Sequence, residues 1–286
     1  MNFRVPHRAN IRSLKKFAIS VFMSVAWLLI STPTLAATVS VNTDVIAGRE
    51  VESLIVKSPA AKTCVVFENG LRATVESWSK VIDLLPESVA VFAYNRPGYG
   101  KSQEAAPPRD GGTIVEELRQ VLKQKGLKPP YILVGHSLGG LYMQLFAKRH
   151  PNEVGGVVLV DSLFPGLVKK PEDFPFLTRS AKRLFFSNTV NNEIDLIYQT
   201  GAEVLSLAPI DDKPIVLLIN KPKGSTAIPV DFGAFNLDRQ TAASIRNLYP
   251  KAVRVVADSD HQMQSKDPKE VIQAINEVIA ISLNGR

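Results

Sequence analysis

Residues 131–151 read YILVGHSLGGLYMQLFAKRHP. The stretch opens with four apolar residues typical of a buried strand and closes with a helix-patterned segment that stops at Pro151. Between them, Gly135 and Gly139 flank Ser137 in the pattern G-x-S-x-G, which allows a sharp turn that holds the serine clear of the sheet in strained dihedral angles. The stretch therefore predicts a nucleophile elbow with Ser137 as the reactive residue. A coincidental glycine turn is the plainer alternative.

Around this stretch, strand-like and helix-like segments alternate along the chain. Such alternation predicts an α/β fold, in which a mostly parallel sheet carries helices on both faces. The inner strands are nearly continuous Val, Ile and Leu, as expected of strands buried on both sides. The predicted strands are 54–57, 64–67, 89–93, 131–134, 156–160, 215–219 and 252–256, and the predicted helices are 74–85, 112–126, 138–150, 237–248 and 268–283.

One segment, residues 163–213, interrupts the alternation. It carries several prolines, aromatic pairs and two short helix-like stretches between two predicted strands. We expect it to form a helical cap inserted above the active site. The chain shows no interdomain linker, so residues 37–286 are predicted to form a single domain that includes this cap.

The first 36 residues have the order of a secretory signal peptide. A basic region precedes an apolar run at 17–30, and small residues then lead to a cleavage site expected after Ala36. The apolar run is short for a membrane span, so no stable span is expected after cleavage. We therefore expect an exported protein, periplasmic or secreted; an uncleaved N-terminal membrane anchor is the alternative.

The high charge follows largely from this leader. The formal net charge is +7, but residues 1–36 hold five of the 34 Lys and Arg and none of the 27 Asp and Glu. The mature chain is therefore close to neutral, which argues against a nucleic-acid partner. Arg179, Lys182 and Arg183 beside Leu-Phe-Phe at 184–186 could touch a membrane surface or a lipid substrate, but a solvated face over a buried Phe pair is the favoured interpretation.

Cys64 is the only cysteine, so no internal disulfide can form. It begins an apolar strand, and a packed thiol is expected there rather than a nucleophile. The sequence offers no Cys-His ligand set and no phosphate-binding glycine loop, so no metal or organic cofactor is expected.

Four motifs together resemble the alpha/beta-hydrolase fold family over essentially the whole mature chain. They are the elbow GHSLGG at 135–140, NRPGYGKS at 95–102, VVLVDS at 157–162 and DSDH at 258–261. Asn95 stands where family members typically have Asp, a change expected to affect loop packing rather than chemistry. The resemblance implies a catalytic triad and an acyl-enzyme reaction.

A serine nucleophile needs an imidazole within reach to take its proton. Of the four histidines, His7 lies in the leader, and His136 adjoins Ser137, so its side chain is expected to point away from the serine. His150 lies about 20 Å along the following helix. This leaves His261, in a polar loop where the family places its base; a surface loop histidine is the alternative.

The acid that orients His261 is harder to assign. Asp161 ends the strand next to the nucleophile strand, on the edge where sites in open α/β sheets form, and some family branches carry their acid there. Most carry it after the next strand, where the first acidic residue of this chain is Asp231. Asp161 is the preferred acid and Asp231 the alternative; Asp161 could also only cap a helix or anchor the cap.

The family resemblance also implies two backbone donors for the oxyanion of the tetrahedral intermediate. One is the amide of Leu138, directly after the nucleophile, and the other is the amide of Leu71. The latter lies in a loop where Asn69 replaces the family's usual His, which brings the hydrogen bonding inside that loop into question. Glu68 is expected to buttress the loop; the alternative is that it simply begins a turn.

These residues predict an exported serine hydrolase that cleaves a small, apolar ester-like substrate. Aminopeptidase, thioesterase or perhydrolase activity with the same triad is an alternative, as is a noncatalytic binding protein on a hydrolase fold. Phenylalanines of the cap segment suggest an apolar acyl or alcohol pocket, although such side chains more often pack in a core.

Overall fold

A computed structural model describes residues 38–221 and 239–284. Neither the leader at 1–36 nor Asp231 lies among the described residues. The described strands are β1 Thr38–Ile46, β2 Arg49–Lys57, β3 Cys64–Glu68, β4 Ala90–Tyr94, β5 Tyr131–His136, β6 Val154–Val160, β7 Ile215–Asn220 and β8 Val253–Ala257. The described helices are α1 Ser79–Ile82, α2 Gly111–Gln124, α3 Leu138–Arg149, α4 Phe176–Phe185, α5 Asn188–Ser206, α6 Arg239–Leu248, α7 Met263–Lys266 and α8 Pro268–Asn284.

Within these residues the strands form one eight-stranded sheet in the order β1-β2-β4-β3-β5-β6-β7-β8. The six strands β4, β3, β5, β6, β7 and β8, in that order across the sheet, pair in parallel. Strands β1 and β2 pair antiparallel to each other, and β2 is also antiparallel to β4. The predicted fold class is therefore confirmed. The carboxyl ends of β3, β5, β6 and β7 lie side by side at one edge of the sheet.

Alternate residues of the central strands face two separate cores. Val66 and Leu133 pack on the face covered by α2 and α3, whereas Val65 and Ile132 pack on the face covered by α8. Because both faces of each strand are buried, nearly every position must be apolar, which explains the unbroken Val, Ile and Leu runs in the sequence.

Strand β1 was not predicted. It pairs along its length with β2 through a two-residue turn at Ala47 and Gly48, both with positive φ (51° and 78°). Ala-Gly lacks the Asn or Asp that usually marks such a hairpin turn. The strand is also polar, with Val41 and Val45 exposed, so no apolar run signals it.

The helix predicted over 74–85 is shorter and partly of another type. Residues 75–78 form a 3-10 helix, followed by the single turn α1. The amide of Val75 donates to Asn95 Oδ1 at 2.9 Å, and the buried Trp78 indole donates to Asn69 Oδ1 at 2.8 Å. These two tertiary bonds tie the segment to the ends of β3 and β4, and Pro86 disfavours continuation.

The insertion between β6 and β7 contains α4 and α5. α5 packs against α3 and α2, and its Ser187 caps the first turn by accepting from the amide of Val190 at 3.3 Å. None of the helices described here is both long and apolar enough to cross a membrane.

Candidate active site

Ser137 is the single residue between β5 and α3, and its backbone is strained. Its dihedral angles are φ 53° and ψ −122°, outside the regions that non-glycine residues favour. Its amide donates to the Val160 carbonyl at 3.2 Å, and its own carbonyl accepts from Gly140 at 3.0 Å and Leu163 at 2.9 Å. These bonds hold the strained conformation in place.

The glycines around Ser137 are required by close approach of other backbone atoms. A Cβ on Gly135 would lie 2.6 Å from Gly140 Cα, and one on Gly139 would lie 2.4 Å from the Glu68 carbonyl oxygen. The start of α3 therefore packs directly against the end of β3. This contact brings the loop after β3 close to Ser137.

His261 and Asp161 lie together at the same edge of the sheet. His261 Nδ1 is 2.7 Å from Asp161 Oδ2. With Nδ1–H donating to the carboxylate, the neutral ring carries its lone pair on Nε2, the tautomer that a general base needs. Asp161 directly follows β6, and β6 pairs with β5, the strand directly before Ser137.

Asn220, the last residue of β7, holds Asp161 from the other side. Its side-chain amide donates to Asp161 Oδ2 at 2.9 Å, and its backbone amide donates to Oδ1 at 3.3 Å. Burial raises the pKa of Asp161, but the hydrogen bonds from His261 and Asn220 outweigh burial, and the net pKa lies below its ordinary value. The carboxylate is therefore ionised at neutral pH. Sequence reasoning missed Asn220, although it is the first polar residue after the apolar run of β7, at this edge of the sheet.

His136, which directly precedes Ser137, contacts the loop that carries His261. Its Nε2–H donates to the His261 carbonyl at 2.6 Å, and the two ring centroids are 4.7 Å apart. Burial and the neighbouring His261 lower the pKa of His136 to about 4, so the ring is neutral at pH 7. Sequence reasoning excluded His136 as the base but did not foresee this positioning contact.

The loop after β3 is held by Arg96. Its guanidinium donates to the Asn69 carbonyl at 2.6 Å and to the Gly70 carbonyl at 3.1 Å. Because C=O and N–H point in opposite directions in a trans peptide, fixing the Gly70 carbonyl turns the Leu71 amide away from Arg96. A Cβ on Gly70 would lie 3.3 Å from Ser137 Cβ, so this loop adjoins Ser137.

Leu138, whose amide is the other expected oxyanion donor, is the first residue of α3. Its amide has no acceptor one turn earlier in the helix, as for every helix N-terminus. The positive end of the helix dipole is thus directed at the space beside Ser137.

Asn69 and Glu68 make well-defined hydrogen bonds inside the loop. The Asn69 side chain donates to the Tyr94 carbonyl at 2.7 Å and accepts from the Trp78 indole at 2.8 Å. Glu68 accepts from Arg96 at 2.6 Å and from the Tyr94 hydroxyl at 2.8 Å. Both residues therefore support the loop that carries Leu71.

Arg96 also contacts the cap segment. Its Nε and Nη2 donate to the two carboxylate oxygens of Glu193 on α5, at 3.1 and 3.2 Å. The Tyr99 hydroxyl donates to the same carboxylate at 2.8 Å. Glu193 lies far from this motif in the sequence, and no local pattern marks it.

Other candidate residues have simpler roles. Burial raises the pKa of the Cys64 thiol to about 12, so it stays protonated at neutral pH, and His150 Nε2 contacts Glu116 at 2.7 Å away from the site. Asp260 accepts from the Gln262 amide within its own loop. In the described parts of the chain, no group of His, Cys, Asp and Glu side chains is arranged to hold a metal ion.

Comparison with known proteins places this chain in a family. A family model described as alpha/beta hydrolase fold matches residues 63–279. YqjL of Bacillus subtilis is 34% identical over 97 residues, which are 34% of this chain and 38% of that protein. A monoacylglycerol lipase of Xenopus laevis is 26% identical over 148 residues, 51% of this chain and 42% of the lipase. The chain thus spans less than half the length of these two relatives.

Solved structures share the fold at low identity. A haloalkane dehalogenase variant from Bradyrhizobium elkanii superposes with a TM-score of 0.65 at 14% identity, covering 87% of this chain and 100% of that one. A membrane phospholipase A superposes with a TM-score of 0.59 at 19% identity, covering 86% and 87%. Their different names show that this fold alone does not define a reaction.

Proposed function

The chain belongs to the alpha/beta hydrolase fold family, and on that premise we propose that it is a serine hydrolase that cleaves an ester through an acyl-enzyme on Ser137. The observation that carries the proposal is the 2.7 Å contact between His261 and Asp161 at the sheet edge that also presents the strained Ser137. Serine rather than aspartate at the elbow favours an acyl-enzyme over the ester intermediate of an aspartate nucleophile.

In the proposed reaction, His261 Nε2 takes the proton of Ser137 Oγ as that oxygen attacks the ester carbonyl. The oxyanion that forms accepts hydrogen bonds from the amides of Leu138 and Leu71. His261 then gives its proton to the leaving alcohol, and the acyl group stays on Ser137. A water molecule, deprotonated by His261, attacks the acyl-enzyme, and His261 returns that proton to Ser137 Oγ as the acid is released. Asp161 keeps the ring oriented and stabilises its protonated form.

Labelling by a fluorophosphonate probe tests the nucleophile. We expect the protein to be labelled and the Ser137→Ala variant to remain unlabelled, with Cys64→Ala as a labelled control. If the folded protein is not labelled, the proposal fails and a noncatalytic role gains support.

Turnover of p-nitrophenyl esters of increasing acyl length tests the substrate class. We propose an apolar ester, and an optimum at a particular chain length would support a pocket of defined depth. Amide, thioester and peracid-forming assays run beside it distinguish the other reactions open to the same triad. Faster turnover in one of these than with any ester would contradict the ester assignment.

We further infer export, because residues 1–36 carry the order of a signal peptide. N-terminal sequencing of the protein recovered from cell fractions tests this inference. Recovery from the cytoplasm with residue 1 intact would contradict it.

A further inference from the structure

The cap helix α4 presents apolar side chains to solvent and polar side chains to the protein. Phe176, Leu177, Leu184 and Phe185 are between 67% and 77% exposed. At about 100° per residue, these four lie within one half of the helix circumference. The opposite half carries Thr178 and Lys182, which are buried. This is the reverse of the usual surface helix, and the expectation of a buried Phe pair here is wrong for Phe185.

The inward polar side chains explain why the helix keeps this orientation. Lys182 Nζ donates to the carboxylate of Asp195 on α5, and lies 3.4 Å from the Asn191 carbonyl. The Asn191 side chain donates to the Phe186 carbonyl at 3.0 Å, which fixes the end of α4. Because polar contacts attach α4 to α5, its apolar half is left outward, where it forms a patch of the kind that marks interaction surfaces.

Basic side chains border the apolar half. Arg179 and Arg183 are exposed, and lie one turn apart along one border of the patch. Lys169 and Lys170, just before the helix, are exposed as well, against exposed Glu172 and Asp173. A short helix with exposed aromatic and leucine side chains beside arginines has the character of an interfacial helix.

The patch adjoins the proposed active site. The Arg72 guanidinium lies 5.3 Å from the centre of the Phe186 ring, directly after α4. Arg72 follows Leu71 and has a positive φ of 60°. A surface that contacts α4 would therefore be close to the loop that carries the proposed oxyanion donor Leu71.

We propose that the exposed face of α4 docks on an anionic lipid surface. Apolar side chains enter the boundary of the acyl region, while Arg179 and Arg183 contact lipid phosphates. A second copy of the chain fits this face less well, because α4 itself has no acidic side chain to pair with Arg179 and Arg183 of the other copy. The proposal goes beyond the proposed hydrolase reaction and does not depend on it.

A fluorescent reporter on the helix tests the docking. Cys64 is buried, so in the full chain Ser180→Cys supplies one exposed thiol on the patch, and Asn276→Cys supplies a matched one on α8. Both are labelled with an environment-sensitive fluorophore and mixed with vesicles of phosphatidylcholine, with or without phosphatidylglycerol. We expect a blue shift at position 180 only, stronger on the anionic vesicles and reduced by salt. The leader is present in both proteins, so it cannot produce a difference between the two labels.

Variants identify the side chains responsible. Leu184→Ser with Phe185→Ser is expected to lower the apparent affinity for vesicles, measured from the blue shift at position 180, at least about tenfold. Arg179→Gln with Arg183→Gln should lower this affinity about fivefold per arginine on the anionic vesicles, and should not change it on the neutral ones. Leu205→Ser, at an exposed leucine of α5, is the control expected to leave it unchanged. Circular dichroism checks that each variant is folded.

Three results of the vesicle experiment would overturn the proposal. They are an absent shift at position 180, an equal shift at position 276, and a shift that persists in the Leu184→Ser, Phe185→Ser variant. If sedimentation without lipid shows a dimer that this variant abolishes, the face belongs to a second copy instead. None of these readouts uses ester turnover, so their failure is distinct from a failure of the hydrolase assignment.

Discussion

Arg96 and Glu193 form a two-contact ion pair in which the side chains are only 1% and 0% exposed. The same guanidinium holds the Asn69 and Gly70 carbonyls. One side chain therefore connects the cap helix α5 to the loop that carries the proposed oxyanion donor Leu71. The position of this loop depends on how the cap is seated.

Glu193→Gln should reduce kcat more than it changes KM. Gln keeps the shape but removes the charge that opposes Arg96, which leaves the guanidinium less firmly placed. We expect kcat to fall roughly tenfold, and the free energy of unfolding to fall by about 3 kcal/mol. Ester kinetics and urea unfolding measure the two effects. Tyr99→Phe, which removes one hydrogen bond to Glu193, should cost only about 1 kcal/mol and leave kcat near wild type. Wild-type kcat in Glu193→Gln would show that the cap does not position the loop.

Asp161→Asn should nearly abolish turnover while leaving the fold intact. An amide at this position favours the wrong His261 tautomer and cannot stabilise the protonated ring. We expect kcat to fall about 10³- to 10⁴-fold. Asp258→Asn, on the exposed loop before His261, is a control expected to have little effect. If Asp161→Asn retains most activity and Asp231→Asn loses it, the acid is Asp231.

Gly139→Ala should disturb both the fold and the reaction. Its Cβ would meet the Glu68 carbonyl oxygen at 2.4 Å, so α3 and the end of β3 must move apart. We expect a loss of about 1–3 kcal/mol in unfolding free energy, with a lower kcat because the Leu138 and Leu71 amides shift. Gly126→Ala is a control for backbone conformation without a steric clash, because the φ of Gly126 is 71° but no atom lies within 4 Å of an added Cβ. That variant should lose stability and keep wild-type kcat.

His136 should make the protein lose stability in mild acid. Its pKa is lowered from 6.5 to about 4 in the folded state, so between these pH values the unfolded chain binds a proton that the folded chain does not. Stability therefore falls as the pH drops through this window, by about 3 kcal/mol in total. Asp161 has a lowered pKa as well, but its contribution is lost only below about pH 4, its ordinary range.

His136→Gln removes the titrating group and should flatten the pH dependence of unfolding between about pH 6.5 and 4. Urea unfolding of both proteins at several pH values in this range gives the comparison. If the unfolding free energy depends on pH equally in the two proteins, another group causes the loss of stability in acid.

The sequence revealed the parts of this protein that local pattern controls. The buried strands and the elbow at Ser137 follow from apolar runs and from glycines that sheet geometry requires. Asp161 was expected at a strand end beside Ser137, and the structure puts it in contact with His261.

Other features depend on contacts between distant residues. Glu193 meets Arg96 across 97 positions, and Asn220 meets Asp161 across 59. The outward side of α4 is set by Lys182 pairing with Asp195, which no apolar periodicity could reveal. Sequence pattern thus predicted which elements exist better than which face each one presents.

Three of the four described non-glycine residues with positive φ follow neighbouring strands: Ser137 and Asp161 directly follow β5 and β6, and Arg72 lies in the loop after β3. Each such conformation costs on the order of 1–3 kcal/mol. The fold thus concentrates its least favourable backbone where the proposed chemistry occurs. Selection for heat resistance alone would gain most by relaxing these positions, and would erode activity as it did so. Engineering for thermal tolerance should therefore leave this edge untouched and seek its gains in the β1–β2 hairpin and the solvent-facing helices.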